Sequence, residues 1–246
     1  MPYTCKEEQR KISDFLSSVD QKINLLKEKH ALLTQYKKGV MQKLFKQQVR
    51  FKDELGNTFP DWKDRKFSEF INVRKDYPNK SDASPLASLT IENGIEAKSA
   101  RYVRDFLVND ENEAYKLVFP NDFVSNPMNL RFGAIAKNNS THVVKISKYY
   151  DVFYIDGSVD KSYFELFLKS HEMFKKYHQT ATGTLEEKKR VHFSEFVDFV
   201  KPLPCIEEQK KISEFVSTLD KKLEVVNQQI ELTQTFKKGL LQQMFV

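Results

Sequence analysis

The chain has 246 residues, enough for one large or two modest domains. Hydrophobic residues make up 40% and aromatic residues 13%, with 20 Phe, so the chain can bury a sizeable core and is not a disordered segment. The net charge of +6 suits nucleic acid or an anionic surface without selecting either, and the absence of an apolar run of about 18 residues excludes a spanning helix, so the chain reads as cytoplasmic.

The first element is a long helix over residues 5–45. Ile12, Val19, Leu26, Leu33 and Val40 recur every seven residues, and Leu16, Ile23 and Leu44 fill the intervening series. This is the seam of a coiled coil. Glu7 and Glu8 lie at its start and Lys37 and Lys38 near its end, as the helix dipole favours. His30 and Lys37 interrupt the seam, either to fix register, or because the rod frays there, or because these positions face a third helix.

A different composition begins near residue 46. FPDWKDRKF (Phe59–Phe67) holds the single Trp and opens a globular unit. SPLASLTIENGI (Ser84–Ile95) reads as a strand ending in an Asn-Gly turn. EAYKLVFPNDFVSNPM (Glu113–Met128) carries two apolar runs around a Pro-Asn-Asp turn, and FGAIAK (Phe132–Lys137) and THVVKISKYYDVFYI (Thr141–Ile155) read as further strands. Asp160–Gln179 has helical apolar spacing at Tyr163, Phe164, Phe167, Leu168 and Phe174. TATGTLEEKKRVHF (Thr180–Phe193) is a polar loop with a helical start, and EFVDFVKPLP (Glu195–Pro204) alternates like a strand.

The last element repeats the first. Residues 205–245 align with 5–45 at an offset of 200 without a gap, and 17 of the 41 positions are identical, among them Cys5, Glu7, Glu8, Gln9, Ile12, Asp20, Lys37 and Gly39. Ile212, Val216, Leu219, Leu223, Val226, Ile230, Leu240 and Met244 continue the seam, which Thr233 and Lys237 interrupt. Two copies far apart are an internal duplication rather than a solenoid. Because the ends of a domain tend to lie close together, the two helices are expected side by side and antiparallel. Cys5 and Cys205 then lie at opposite ends of a rod about 60 Å long and stay free thiols. The expected architecture is a mixed α/β (α+β) domain plus two long antiparallel coiled-coil helices, with boundaries at 1–46, 47–203 and 204–246.

Reaction chemistry is not legible. The chain contains no G-x-G-x-x-G, P-loop or G-x-S-x-G motif, and Asn126-Pro127-Met128 lacks the second Pro and the aromatic of an amino-methylase motif. Glu186-Glu187-Lys188 has no convincing Asp partner for a metal nuclease and reads as a solvated turn. The five His are scattered, and no Cys/His cluster has metal-ligand spacing. What remains is a set of Lys, Arg and Asn on loops, the residue types that suit phosphates, guanine edges and adenine. The candidate groups are Lys98, Arg101 and Arg104; Asn126, Asn129 and Arg131; and Lys188, Lys189 and Arg190.

An ordered set of motifs carries a resemblance. Glu7-Glu8-Gln9 with Lys11-Ile12 opens the first helix, Phe59-Pro60-Asp61-Trp62-Lys63 opens the domain, and Ala181-Thr182-Gly183-Thr184 precedes its exit. Leu203-Pro204 with Glu207-Glu208-Gln209 follows, and Lys237-Lys238-Gly239-Leu240-Leu241 closes the chain's second helix. With Ser125-Asn126-Pro127-Met128 and Gly133-Ala134-Ile135, this order resembles the specificity subunit of type I restriction–modification enzymes over nearly the whole chain.

The resemblance implies a subunit without catalytic activity or cofactor of its own. Its target recognition domain reads double-stranded DNA. Methyltransferase subunits, which carry the S-adenosylmethionine, dock on its helices and methylate adenine, and a restriction subunit joins them in some complexes. A full-length member of the family runs domain, rod, domain, rod, whereas this chain runs rod, domain, rod and would read one half-site. A homodimer through the helical rods would restore two; a non-productive truncated half-subunit or a scaffold protein is the alternative. Within the domain, Asn126, Asn129 and Arg131 are expected to approach bases, while Thr182, Thr184 and Lys188 contact backbone or position the domain.

Overall fold

The computed structural model describes residues 5–79, 83–98 and 115–244. The chain opens with helix α1 (Lys6–Phe45). The strands β1 (Lys63–Lys66), β2 (Ile71–Val73), β3 (Ala87–Thr90), β4 (Gly94–Ala97) and β5 (Tyr115–Val118) follow. Next come β6 (Phe123–Ser125), β7 (Ile135–Lys137), β8 (Val144–Ser147) and β9 (Asp151–Ile155), then the helices α2 (Lys161–Leu168), α3 (His171–Thr180) and α4 (Phe193–Val197). Strand β10 (Val200–Leu203) leads into helix α5 (Ile206–Met244). The chain divides into a helical unit, Met1–Lys46 with Glu214–Val246, and a globular unit, Gln47–Ser213.

The division differs from the sequence boundary at 204. The first turns of α5 cluster with the globular unit, and their chemistry explains why. Glu208 is fully buried, and its carboxylate accepts hydrogen bonds from Arg50 Nη2 at 2.8 Å, Arg50 Nε at 3.1 Å and Trp62 Nε1 at 3.1 Å. Arg50 also donates to the carbonyls of Pro60 (2.6 Å) and Phe59 (3.2 Å). The neighbouring Gln209 accepts from the Asp160 backbone N–H at 2.8 Å and donates to the Pro204 carbonyl at 2.8 Å. A buried carboxylate is tolerated only when paired and hydrogen-bonded in this way.

In the globular unit, β1 and β10 pair antiparallel with Lys63 opposite Leu203, so the two ends of the unit meet. A four-stranded antiparallel sheet has the order β2-β9-β6-β7. The two apolar runs flanking Pro120-Asn121-Asp122 do not form a hairpin with each other. β6 joins the four-stranded sheet, whereas β5 pairs with β8. Asn121 sits at positive φ, and the Asp122 carboxylate accepts from the Phe119 N–H and bidentately from Arg74 at 2.9 and 3.0 Å. The Asn-Gly turn joins β3 to β4, with Gly94 at φ +75°, a conformation open to glycine at no steric cost.

Among the described residues, an aromatic cluster and an aliphatic cluster hold these layers. One is built from aromatic rings: Phe67 lies 5.3 to 6.0 Å from the ring centroids of Phe70, Phe164, Phe196 and Phe199, at tilted or edge-on angles. The other gathers Leu89, Val118, Val124, Val144, Ile146 and Val152 from the strands. The helical stretch after Asp160 is broken in two, because Ser170 caps α3 by accepting from the Met173 N–H. Residues 195–204 are a strand only in their second half; Phe196 is needed in the aromatic core and sits on the short helix α4.

The helical unit pairs α1 with α5 antiparallel. Val19, Ile23 and Leu44 of α1 and Val216, Leu219, Val226 and Ile230 of α5 are buried along the seam read from the heptads. The seam lysines do not mark fraying. Lys37 pairs with Asp220, and Lys237 reaches both oxygens of Asp20 at 2.5 and 2.6 Å. Each pair is the other shifted by one repeat, so the helices are related by a pseudo-two-fold axis. Large apolar side chains remain exposed at repeat-equivalent positions: Leu25 and Val225, Leu32 and Leu232, Tyr36 and Phe236. Both cysteines are free thiols. No helix among the described residues is long and apolar enough to cross a membrane.

Candidate nucleic-acid interface

Two of the three candidate groups fall in two loops that the fold joins. The first follows β6. Asn126 donates its N–H to the Ala134 carbonyl at 3.0 Å, and its side-chain oxygen accepts from the Met128 N–H at 3.1 Å. This Asx turn feeds a single 3-10 turn, Leu130–Phe132, for which the Asn129 carbonyl accepts from Phe132 N–H and Ala134 N–H. Asn126 is half-buried and its oxygen is spent on the turn, whereas Asn129 is exposed. The turn rests on α3, with Phe132 edge-on to His178 at 6.0 Å between centroids.

The second loop is a small hairpin after α3. Thr182 and Arg190 exchange two backbone hydrogen bonds of 3.0 Å, closing a tip that contains the single turn Glu186–Lys188. Gly183 makes the closure possible. It sits at φ +153°, and a Cβ there would come within 2.9 Å of Lys189 Cα. Thr182, Thr184, Lys188 and Arg190 are exposed, and Lys189 is half-exposed.

Two links fasten the loops together. The Val191 N–H donates to the Pro127 carbonyl at 3.1 Å. Arg131 spans the gap: its Nη1 pairs with the Glu186 carboxylate and its Nη2 donates to the Glu186 backbone carbonyl. Arg131 is only 5% exposed, with its guanidinium 4.6 Å from the Phe132 ring centroid. Its place is therefore beneath the hairpin, not on an open surface where a base edge would meet it. Glu186 itself is exposed and also bonds Lys189 at 2.6 Å. The Lys189 ammonium first, and then the Arg131 guanidinium, hold the Glu186 carboxyl below its ordinary range.

The fold thus brings together Asn126, Asn129, Arg131, Thr182, Thr184, Lys188, Lys189 and Arg190. Lys98 is exposed just beyond β4, where its N–H donates to the Leu86 carbonyl at 2.8 Å. Arg101 and Arg104 lie outside the described residues. Glu186 is the participant that sequence reasoning treated as a solvated turn. Its signal was the charge alternation with Lys188, Lys189 and the distant Arg131, which only the fold makes local. No group of His, Cys, Asp and Glu able to hold a metal ion occurs among the described residues.

No family model matches the chain. It is 24% identical over 257 residues to the type I restriction enzyme MjaVIII specificity subunit of Methanocaldococcus jannaschii, an alignment covering 98% of this chain and 60% of that protein. Its fold matches the HsdS subunit of Thermoanaerobacter tengcongensis with a TM-score of 0.53 at 14% identity, covering 97% of this chain and 58% of that one. It also matches the type I restriction-modification S subunit of M. genitalium with a TM-score of 0.55 at 14% identity, covering 98% and 61%. The chain is thus similar in sequence along its length to a type I restriction enzyme specificity subunit and shares a fold with two such subunits of known structure, and it spans about 60% of the length of the proteins it matches.

Proposed function

We propose that this chain is a non-catalytic DNA-recognition subunit of a type I restriction–modification system. The globular unit reads one half-site, and the helical unit docks adenine-N6 methyltransferase subunits. The observation that carries the reading is the junction of the two loops, on which Asn129, Thr182, Thr184, Lys188 and Arg190 are exposed in a basic chain. Exposed Lys and Arg there suit phosphates and set register, and Asn129 suits a base edge. The repeat-equivalent exposed apolar residues on α1 and α5 support a protein partner for the helices.

The test is a map of methylated adenines in DNA from cells expressing this chain with a methyltransferase subunit. An interrupted, palindromic methylated motif is expected, two copies each reading one half-site. No new methylation in the presence of stable protein would overturn the reading. Lys188→Ala is expected to weaken binding to all sequences alike and to reduce the salt slope by about one.

A further inference from the structure

Two cations share one carboxylate at the tip of the 182–190 hairpin. The Glu186 carboxylate gives one oxygen to Arg131 and the other to Lys189. The Glu186 side chain is 70% exposed, while the Arg131 side chain is 5% exposed, so the carboxylate is the outer member of the cluster. Arg131 Nε is buried and has no hydrogen-bond partner among the described residues. A buried guanidinium ordinarily uses its full fork of donors, so this site offers more than Glu186 takes. Exposed Lys188 and Arg190 flank it in sequence.

The two oxygens of this carboxylate stand where a phosphodiester's two non-bridging oxygens would make the same charge-assisted contacts. Exchanging one for the other needs little movement. Arg131 Nη2 stays on the Glu186 backbone carbonyl, and only the exposed Glu186 side chain has to turn away. We propose that Arg131 and Lys189 form a phosphate site for the DNA backbone, which the Glu186 carboxylate fills in the free protein and a phosphodiester group takes over on binding. This rests on the DNA-recognition reading above. It moves Arg131 from base reading to backbone contact and makes Glu186 an internal competitor that weakens loose, unspecific association.

Glu186→Gln keeps the side-chain shape and removes the competing charge. In the full chain, with a mixed-sequence duplex at low salt, it is expected to bind about three- to tenfold more tightly than the parent. Its plot of log affinity against log salt should steepen by about one. Lys189→Gln, at a half-exposed position that leaves the fold intact, should remove most of that gain in the double variant. Equal or weaker binding by Glu186→Gln, beside a parent that binds with clear salt dependence, would overturn the site while leaving the DNA reading standing. A gain unchanged by Lys189→Gln would do the same. Absence of any duplex binding by the parent would overturn both. Inorganic phosphate, compared with chloride at matched ionic strength, should compete no better; selective displacement by phosphate would assign the site to the free anion instead.

Discussion

Glu8 and Glu208 are the same residue of the two repeats in opposite surroundings, and that contrast can be measured. Glu208 has a side chain 1% exposed and accepts three hydrogen bonds from Arg50 and Trp62, whereas Glu8 is exposed on the first helix. Glu208→Ala leaves the Arg50 charge and the Trp62 N–H without their acceptor. Breaking a buried ion pair from one side costs about 3–5 kcal/mol. The lower end applies because the Arg50 side chain is 22% exposed and still donates to the Pro60 carbonyl, so part of its charge is rehydrated. For a unit of this size, a loss of about 3 kcal/mol lowers Tm by about 6–12 °C. Glu8→Ala should stay within about 0.5 kcal/mol of the parent. Scanning calorimetry of parent and both variants reads this directly. Emission of the single Trp in the folded state should also change in Glu208→Ala alone, since its indole N–H loses an acceptor. If both variants melt within about 2 °C of the parent, the cluster does not hold the start of α5 to the globular unit as argued.

The reciprocal ion pairs predict matched effects. Lys37→Glu and Lys237→Glu should each destabilise the helical unit by about 1 kcal/mol, with Lys37→Glu rescued by Asp220→Lys in denaturant titrations. Gly183→Ala forces a Cβ against the Lys189 backbone, so it should open the hairpin and weaken duplex binding several-fold while Tm changes by less than about 2 °C. Asp151 supplies a pH dependence: burial pushes its carboxyl up to about 6, against the opposing charges of Lys116 and His192. The folded state therefore holds this proton more tightly than the unfolded chain. The resulting stability is fully present below the ordinary value of 3.8 and is lost as pH rises through about 6. Asp151→Asn should raise Tm at pH 7.5 and lose that advantage by pH 4, and a fluorimetric melting series across this range checks it.

The helices were legible because a heptad seam is a local pattern and the repeat wrote it twice. The meaning of the polar seam residues was not, because Lys37 and Asp220 become neighbours only when the chain returns. The strands were placed from their apolar runs, but their partners were not. β5 and β6 flank the Pro120-Asn121-Asp122 turn, yet they pair in different sheets, and Asp122 in the turn accepts from Arg74 and the Phe119 N–H. The same limit applied at the interface. Residue type drew attention to Arg131, while its burial against the hairpin and its bonds to Glu186 are tertiary. Gly183 was visible as part of a motif, while the reason a glycine stands there, the nearness of Lys189, is tertiary.

Asp20 and Lys37 lie on one helix, and this has an effect on partner choice. The contacts that tie α1 to α5 are self-complementary: an antiparallel α1 from another molecule would offer an Asp20 to Lys37 and a Lys37 to Asp20 just as well. Side-chain code at these positions therefore does not distinguish self from non-self. The tether does, because the globular unit Gln47–Ser213 keeps α5 in the same molecule as α1 and makes their pairing intramolecular. Exchange of helices between molecules is then set by how much protein is present and by what interrupts the tether, and a cut in the globular unit would turn an intramolecular pair into a sticky one.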